Sequence, residues 1–129
     1  MWIMVAGPYS YGAPAPEDRA ANLRALNRAA AEIFEMGHIP LIGVNMALPM
    51  IEAAGADTYE KIMMPLSLSL VERCDACLRI GGASPGADEE AERFRSLGCP
   101  VFYSLAELRA AIDLPLSRTG ERREAEGKD

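Results

Sequence analysis

Short apolar runs that end in glycine or proline alternate along this chain with longer segments of helical periodicity. The first run, Trp2 to Ala6, is followed by Gly7-Pro8, and further runs lie at residues 38–44, 76–80 and 99–103. Strands that are buried on both faces read as continuous apolar runs, and helical crossovers join them. The alternation therefore predicts an α/β fold, a Rossmann-like three-layer sandwich with a central parallel sheet of four to five strands.

The helical periodicity predicts four helices, at about residues 17–36, 58–73, 87–97 and 104–113. Thr58 is expected to cap the second helix, and Pro65 is expected to kink or split it. Residues 45–57 form a longer, Ala-rich connection that is expected to be partly helical. The apolar stripe of the first helix consists of Leu23, Leu26, Ala30, Ile33 and Phe34.

Length and composition fit one small domain. The chain has 129 residues, which leaves room for a single core. Half of the residues are hydrophobic and 25% are charged, which excludes wholesale disorder. We assign residues 1–114 to the domain and expect residues 115–129 to form a disordered polar tail.

Charge and hydropathy narrow the classes of partner. The net charge is −6, and an acidic surface repels a phosphate backbone, so nucleic-acid binding is not expected. A small phosphorylated ligand that is held by backbone amides remains compatible with this charge. The longest uncharged apolar stretch, residues 38–51, is too short for a membrane span and contains two prolines. The N-terminus lacks the basic start of a signal peptide, so we expect a cytoplasmic protein.

The cysteines and the single histidine give no support to a metal or redox cofactor. Cys74 and Cys77 match C-x-x-C in form, but they close a predicted helix before a strand. A redox motif of this kind opens a helix after a strand. We interpret Cys74, Cys77 and Cys99 as small apolar residues, and we expect no cofactor.

Three segments are expected to meet at the carboxyl ends of the strands, where open α/β sheets bind their ligands. They are Gly7-Pro8-Tyr9 after the first strand, Asn45-Met46 after the second, and the loop 81–86 after the third. In the last, Ser84 is suited to cap the next helix, and Pro85 suits its first position.

The start of that helix is a candidate anion site. With Ser84 as cap, the amides of Gly86, Ala87 and Asp88 would be free to bind a phosphate or a carboxylate. The alternative is a plain loop with a good helix cap, which is the more common meaning of a lone Ser-Pro-Gly sequence.

Glu90 lies on the apolar side of the same helix, together with Ala87, Phe94 and Leu97, at about 100° per residue. Burial of an unpaired carboxylate is costly, so the position requires an explanation. Two interpretations stay open at this point. Glu90 is either a catalytic carboxylate that faces the cleft, or a carboxylate at the edge of the stripe that reaches solvent or Arg93.

Two stretches, VAGPY and CDACLRIGGASPGADEEAERFRSLGCPVF, resemble the nucleoside 2-deoxyribosyltransferase-like superfamily. The superfamily includes monophosphate-specific N-glycosidases and small domains of unknown function. The resemblance covers the first strand with its loop and residues 75–101, and the middle of the chain is matched only by the order of its elements. The matching positions are Gly7, Asp75, Ser84, Gly86, Glu90 and Gly98.

The resemblance implies cleavage or transfer at the N-glycosidic bond of a nucleoside or nucleotide. Glu90 occupies the nucleophile position and would attack the anomeric carbon, giving a glycosyl-enzyme that water or a second base intercepts. Ser84 and the amides after it would hold a 5′-phosphate. Gly7 would allow the ligand to approach the backbone closely, and Tyr9 would stack on the base.

The sequence departs from the superfamily at several positions. Met4 stands where the transferases carry Tyr, and Ser67 stands where they carry an Asp that helps to handle the base or the sugar. The missing Asp favours a second interpretation, a catalytically inert nucleotide-binding module. A third, a phosphoribohydrolase-like enzyme, is the least favoured, because the spacing from Gly81-Gly82 to Glu90 is too long for its motif.

The sequence also predicts self-association. The helix at 58–73 and the stretch 46–51 carry more apolar side chains than one face of a sheet requires, and four of the seven methionines lie between Met46 and Met64. The resemblance also implies a homodimer or larger assembly whose partner helps to close the active site. The alternative is that Pro65 splits the helix and both halves bury their stripes internally.

Overall fold

The computed structural model describes residues 1–113, which form an all-parallel four-stranded sheet and five α-helices. This confirms the predicted Rossmann-like α/β fold. Residue 114 and the tail predicted at 115–129 lie outside the described residues. The elements are β1 (Trp2–Ala6), α1 (Pro16–Glu35), β2 (Ile39–Leu41), α2 (Gly43–Ala54), α3 (Tyr59–Val71), β3 (Ala76–Arg79), α4 (Pro85–Ser96), β4 (Val101–Phe102) and α5 (Leu105–Asp113). A 3-10 turn, Ala56–Thr58, joins α2 to α3.

Alternating side chains of the central strands supply two cores on opposite faces of the sheet, because successive residues of a strand point to opposite sides. On one face, Ile3 and Val5 of β1 pack with buried residues of α1 and α5. On the other face, Met4 and Ala6 pack with residues of α3 and α4. The helical partners are Leu26, Ala29, Ile33 and Leu108 in the first core and Val71, Ala87 and Phe94 in the second.

The strand order β2-β1-β3-β4 places a topological switch point between β1 and β3. Helix α1 leads from β1 outward to the edge strand β2, and α2 and α3 return the chain to β3 on the other side of β1. Ligands of open parallel sheets bind beyond the carboxyl ends of the strands at such a point. Packing there is close, since a Cβ at Gly7 would lie 2.7 Å from the Ile80 carbonyl oxygen.

Several predicted boundaries and contacts are wrong. The connection at residues 45–57 is partly helical as expected, but its helix, α2, begins earlier, at Gly43, so β2 ends at Leu41 and has only three residues. Pro65 does not split α3, which runs continuously from Tyr59 to Val71. Pro65 lies on the exposed side of the helix, where water can hydrate the carbonyl that loses its amide partner.

Two side-chain predictions also need correction. Phe34 is 66% exposed, because the buried face of α1 runs through Leu26, Ala29 and Ile33 and leaves the next position outside. The Thr58 hydroxyl donates to the Gly55 carbonyl at 2.6 Å and therefore does not cap α3.

The cysteines of the second core behave as apolar residues. Cys74 and Cys77 are buried, and burial raises the pKa of their thiols to about 11 and about 12. Thiols with such pKa values stay protonated at neutral pH and are poor nucleophiles.

Within residues 1–113, no helix is long and apolar enough to cross a bilayer.

Candidate active site

A cavity of about 290 Å³ opens at the switch point, beyond the carboxyl ends of β1 and β3. The loop after β1, the inward side of α3 and the start of α4 form its walls. This volume lies near the lower end of the range for small-molecule sites, about 300–1,000 Å³. Its aromatic and apolar lining includes Tyr9, Tyr11, Tyr59, Val44, Met63 and Met64, and its polar lining includes Ser10, Ser67, Ser84, Glu60 and Glu90.

Glu90 is the buried acid of this cavity. Glu90 lies in the second turn of α4 and is only 8% exposed. Burial raises the pKa of its carboxyl to about 7, because a low-dielectric surrounding disfavours the charged form. The Ser67 hydroxyl and the positive charge of Arg79 act in the opposite direction without cancelling this effect. Glu90 therefore changes its charge near neutral pH, which is common for the acids and bases of active sites.

The sequence left two interpretations of Glu90 open, a catalytic carboxylate that faces the cleft and a carboxylate at the edge of the apolar stripe, and its position in the structure favours the first. Glu90 lines the cavity. Arg93, the partner expected for a carboxylate at the edge of the stripe, lies instead 3.9 Å from the Glu72 carboxylate. The geometry therefore fits a carboxyl group that faces the cleft.

Ser67 reaches Glu90 from α3 and is itself buried. The close approach of α2 to α3 requires Gly43 here, because an ideal Cβ at Gly43 would lie 2.0 Å from the Ser67 Oγ. The sequence singled out position 67 only as a departure from the resembling superfamily. In the structure, the hydroxyl at this position is a partner of the candidate catalytic carboxyl.

Ser84 caps α4, as its sequence context predicts. Its Oγ accepts from the Ala87 amide at 3.2 Å, and its carbonyl accepts from the Asp88 amide at 2.9 Å. The expectation that the Ala87 and Asp88 amides are free for an anion is therefore wrong, because the cap and the first helical bond use them. Gly86 lies under the Met64 sulfur, which would be 3.1 Å from a Cβ at this position.

Arg79 ties the loop after β3 to the start of α4. Its Nε donates to Asp88 Oδ1 at 3.0 Å, and its two terminal nitrogens donate to the Ile80 and Gly82 carbonyls at 2.6 and 2.8 Å. The Asp88 carboxylate is thereby held by Arg79 and does not line the cavity. Nothing in the local sequence pattern distinguished Arg79 from the other basic residues.

The structure brings most of the predicted binding residues together, but not all of them. Gly7, Tyr9, Ser84, Gly86 and Ala87 line the cavity. Pro8 packs instead against Gly81: a Cβ added at Gly81 would lie 2.7 Å from the Pro8 Cδ.

Asn45 also lies outside the cavity lining. It falls in the first turn of α2 and not in a loop after β2, and its Nδ2 donates to Asn27 Oδ1 of α1 at 2.8 Å. The sequence pattern did not predict the contributions of α3, namely Tyr59, Glu60, Met63, Met64 and Ser67.

Asp75, which the resemblance also singled out, lies at the amino ends of the central strands, at the end of the sheet opposite the cavity. Its Oδ2 accepts from the Trp2 amide at 2.7 Å, at the amino ends of β1 and β3. This hydrogen bond helps to join the start of β1 to the start of β3, whereas the cavity lies beyond the carboxyl ends of the same strands.

Comparisons with protein-family models, with curated proteins and with solved structures each gave no match.

Proposed function

We propose that this protein cleaves, or transfers across, the N-glycosidic bond of a nucleoside or nucleoside monophosphate, with Glu90 as the nucleophile. The observation that carries the proposal is the buried Glu90 carboxyl, which faces an aromatic-lined cavity at the topological switch point. The resemblance of residues 75–101 to the nucleoside 2-deoxyribosyltransferase-like superfamily supplies the reaction class.

The reaction proceeds in two steps through a covalent ester. The ionised Glu90 carboxylate attacks the anomeric carbon, the C–N bond breaks, and the base leaves with the bonding electron pair and takes a proton from solvent. A water molecule, or a second base, then attacks the same carbon, the ester C–O bond breaks with its electron pair on the Glu90 carboxylate, and the proton of the attacking group passes to solvent. The Ser67 hydroxyl stabilises the charged form of the carboxyl, and the rings of Tyr9 and Tyr59 offer surfaces on which a base can stack.

Release of free base tests this proposal. Purified protein is incubated with a panel of nucleosides and 5′-monophosphates, and the base is detected by chromatography. We expect Glu90→Gln to abolish release while ligand binding stays measurable, because the amide keeps the shape of the side chain and loses its charge. Glu89→Gln is the matched control, since Glu89 is exposed on the same helix and should be nearly silent. Unchanged turnover in Glu90→Gln would refute the catalytic assignment.

A catalytically inert nucleotide-binding module is the second candidate function. Ser67 replaces the carboxylate that the superfamily's transferases place there, and the other carboxylate of the cavity lining, Glu60, is exposed. A buried second acid to protonate the leaving base is thus missing from the described lining. Nucleoside binding without any base release in the same panel would support this candidate.

A further inference from the structure

The charge of the cavity is acidic. Its lining, within the described part of the chain, contains the carboxyl groups of Glu60 and Glu90 and no lysine, arginine or histidine. A phosphate group that entered this space would meet like charge. The repulsion is stronger at ionised Glu90, which is buried and little screened by solvent, than at Glu60, which is exposed.

The backbone at the start of α4 does not compensate for this charge. The Ala87 and Asp88 amides are already hydrogen-bonded to Ser84, and Pro85 has no amide hydrogen. The remaining amide of that turn, at Gly86, lies where Met64 packs. The helix start therefore offers one donor at most, whereas phosphate sites at helix ends use several amides together.

The Arg79 guanidinium, whose charge acts on the Glu90 carboxyl, is committed to other partners. Arg79 is close enough to act on the Glu90 carboxyl, but it does not line the cavity. Each of its three nitrogens already donates, to Asp88, Ile80 and Gly82. To bind a phosphate, Arg79 would have to break the contacts that fix the loop before α4.

The rest of the lining suits an uncharged ring and a sugar. Tyr9, Tyr59, Val44 and Met63 present aromatic and apolar surface. The Ser10 Oγ lies 3.0 Å from the Tyr59 hydroxyl and the Ser67 hydroxyl bonds to Glu90, but each serine oxygen can still accept a hydrogen bond from a sugar hydroxyl. The cavity volume of about 290 Å³ limits the ligand to one small molecule.

We infer that this cavity takes an uncharged nucleoside and discriminates against the corresponding 5′-monophosphate. The inference rests on the proposed function and selects between its two substrate classes. The physical reason is that a phosphate dianion must give up its hydration to enter a space that holds two carboxyl groups and no free counter-charge.

The test compares matched ligands. Wild-type protein is given the four deoxynucleosides and their 5′-monophosphates, and equilibrium dialysis measures binding while chromatography measures base release. We expect at least one nucleoside to bind at least about tenfold more tightly than its monophosphate. A monophosphate that binds as tightly or more tightly overturns the inference but leaves the proposed N-glycosidase function standing. Absence of both binding and base release for every ligand overturns the proposed function and this inference with it.

A pair of charge variants tests the cause of the discrimination. Glu60→Lys places a cation at the cavity, whereas Glu52→Lys makes the same change in net charge on an exposed position of α2 that does not line it. We expect Glu60→Lys to lower the ratio of nucleoside to monophosphate affinity by about tenfold at low salt, and by less at high salt, because Glu60 is exposed. An equal effect of the two variants, or no effect of Glu60→Lys, would overturn the electrostatic explanation.

Discussion

A carboxyl group that is buried beside a cavity makes folding less favourable, and Glu90 is such a group. Its pKa rises from 4.5 to about 7 on folding, mainly because burial removes water from it. At about 1.4 kcal/mol per pKa unit, this corresponds to about 3 kcal/mol of lost stability above neutral pH. The hydrogen bond from Ser67 reduces this cost but does not remove it. A functional role for the carboxyl is the simplest account of its retention at this position.

The stability of the protein should therefore depend on pH through Glu90. Between pH 4.5 and about 7 the folded state binds more protons at this group than the unfolded state, so the free energy of unfolding falls as pH rises. Glu90→Gln removes this dependence. The free energy of unfolding of the variant minus that of wild type should increase by about 3 kcal/mol from about pH 4 to about pH 8, as measured by urea denaturation. An equal gain in the exposed Glu89→Gln control, or none in Glu90→Gln, would contradict the burial account.

Catalysis should follow the same ionisation. The nucleophile acts as a carboxylate, so kcat/KM for base release should rise about tenfold per pH unit below about pH 7 and level off above it. Because the Ser67 hydroxyl lowers the pKa of Glu90, Ser67→Ala should shift the midpoint of this profile to higher pH. A pH–rate profile of both proteins measures the shift. A midpoint that stays in place, or moves to lower pH, would show that Ser67 does not position this carboxyl.

At the scale of elements, the sequence pattern predicted the parts of the fold that are encoded locally. The continuous apolar run of β1 and most of the stripe of α1 follow from residue spacing alone, whereas Phe34 was wrongly placed on the buried face. Helix α2 was predicted only in part, because Gly43 and Pro49 are poor helix formers. Burial of Ala47 and Ile51 against Met63 of α3 stabilises the helix in spite of them, and these tertiary contacts are not visible in the local sequence.

In the candidate site, too, residues that are close in the sequence were predicted, and residues that tertiary packing brings in were not. Ser84 and Glu90 lie within one loop and helix start, so the sequence predicted their neighbourhood from spacing. Ser67 and Tyr59 reach the cavity from α3, and the rotation of α3 about its axis is set by its packing on α2 and on the sheet. The occupied amides of Ala87 and Asp88 depend on cap geometry that the residue types alone do not determine.

The packing of α2 on α3 yields a prediction at this scale. Gly43→Ala places a methyl group 2.0 Å from the Ser67 Oγ, so Ser67 must rotate or the helices must separate. We expect a loss of about 1–3 kcal/mol in the free energy of unfolding, measured by urea denaturation. Gly82→Ala is the matched control and should be nearly neutral, because nothing lies within 4 Å of its Cβ position.

A second substitution distinguishes a local clash from a general effect on the helix. In a Ser67→Ala background the hydroxyl is gone, and the nearest side-chain atom is the Cβ of residue 67 at 3.2 Å. Gly43→Ala should therefore be less destabilising in that background than in wild type. An equal cost in both backgrounds would show that the contact with Ser67 is not its cause.

For the whole molecule, self-association remains a prediction. The helix α3 is continuous and buries Met63, Ser67 and Val71, while Met46 and Met50 of α2 stay 45% and 47% exposed. These two methionines are one helical turn apart and share a face of α2. Exposed apolar side chains of this kind are common at adaptable interfaces.

Light scattering at micromolar concentration tests this prediction. We expect a mass of about twice 13.9 kDa or more for wild type, and a shift toward monomer when Met46→Glu and Met50→Glu are combined. Phe34→Glu is the control, since Phe34 is also a large apolar residue, 66% exposed, but lies on α1. A wild-type mass near 13.9 kDa would refute the prediction.

The covalent step at Glu90 is the central claim, and mapping of the intermediate by mass spectrometry tests it most directly. Wild-type protein is mixed with a nucleoside that releases base, quenched with acid and digested. We expect a peptide that contains Glu90 and is heavier by one glycosyl group, and we expect this species to be absent in Glu90→Gln but present in Glu89→Gln. Base release in wild type with the glycosyl group on another residue, or base release that persists in Glu90→Gln, would contradict the account.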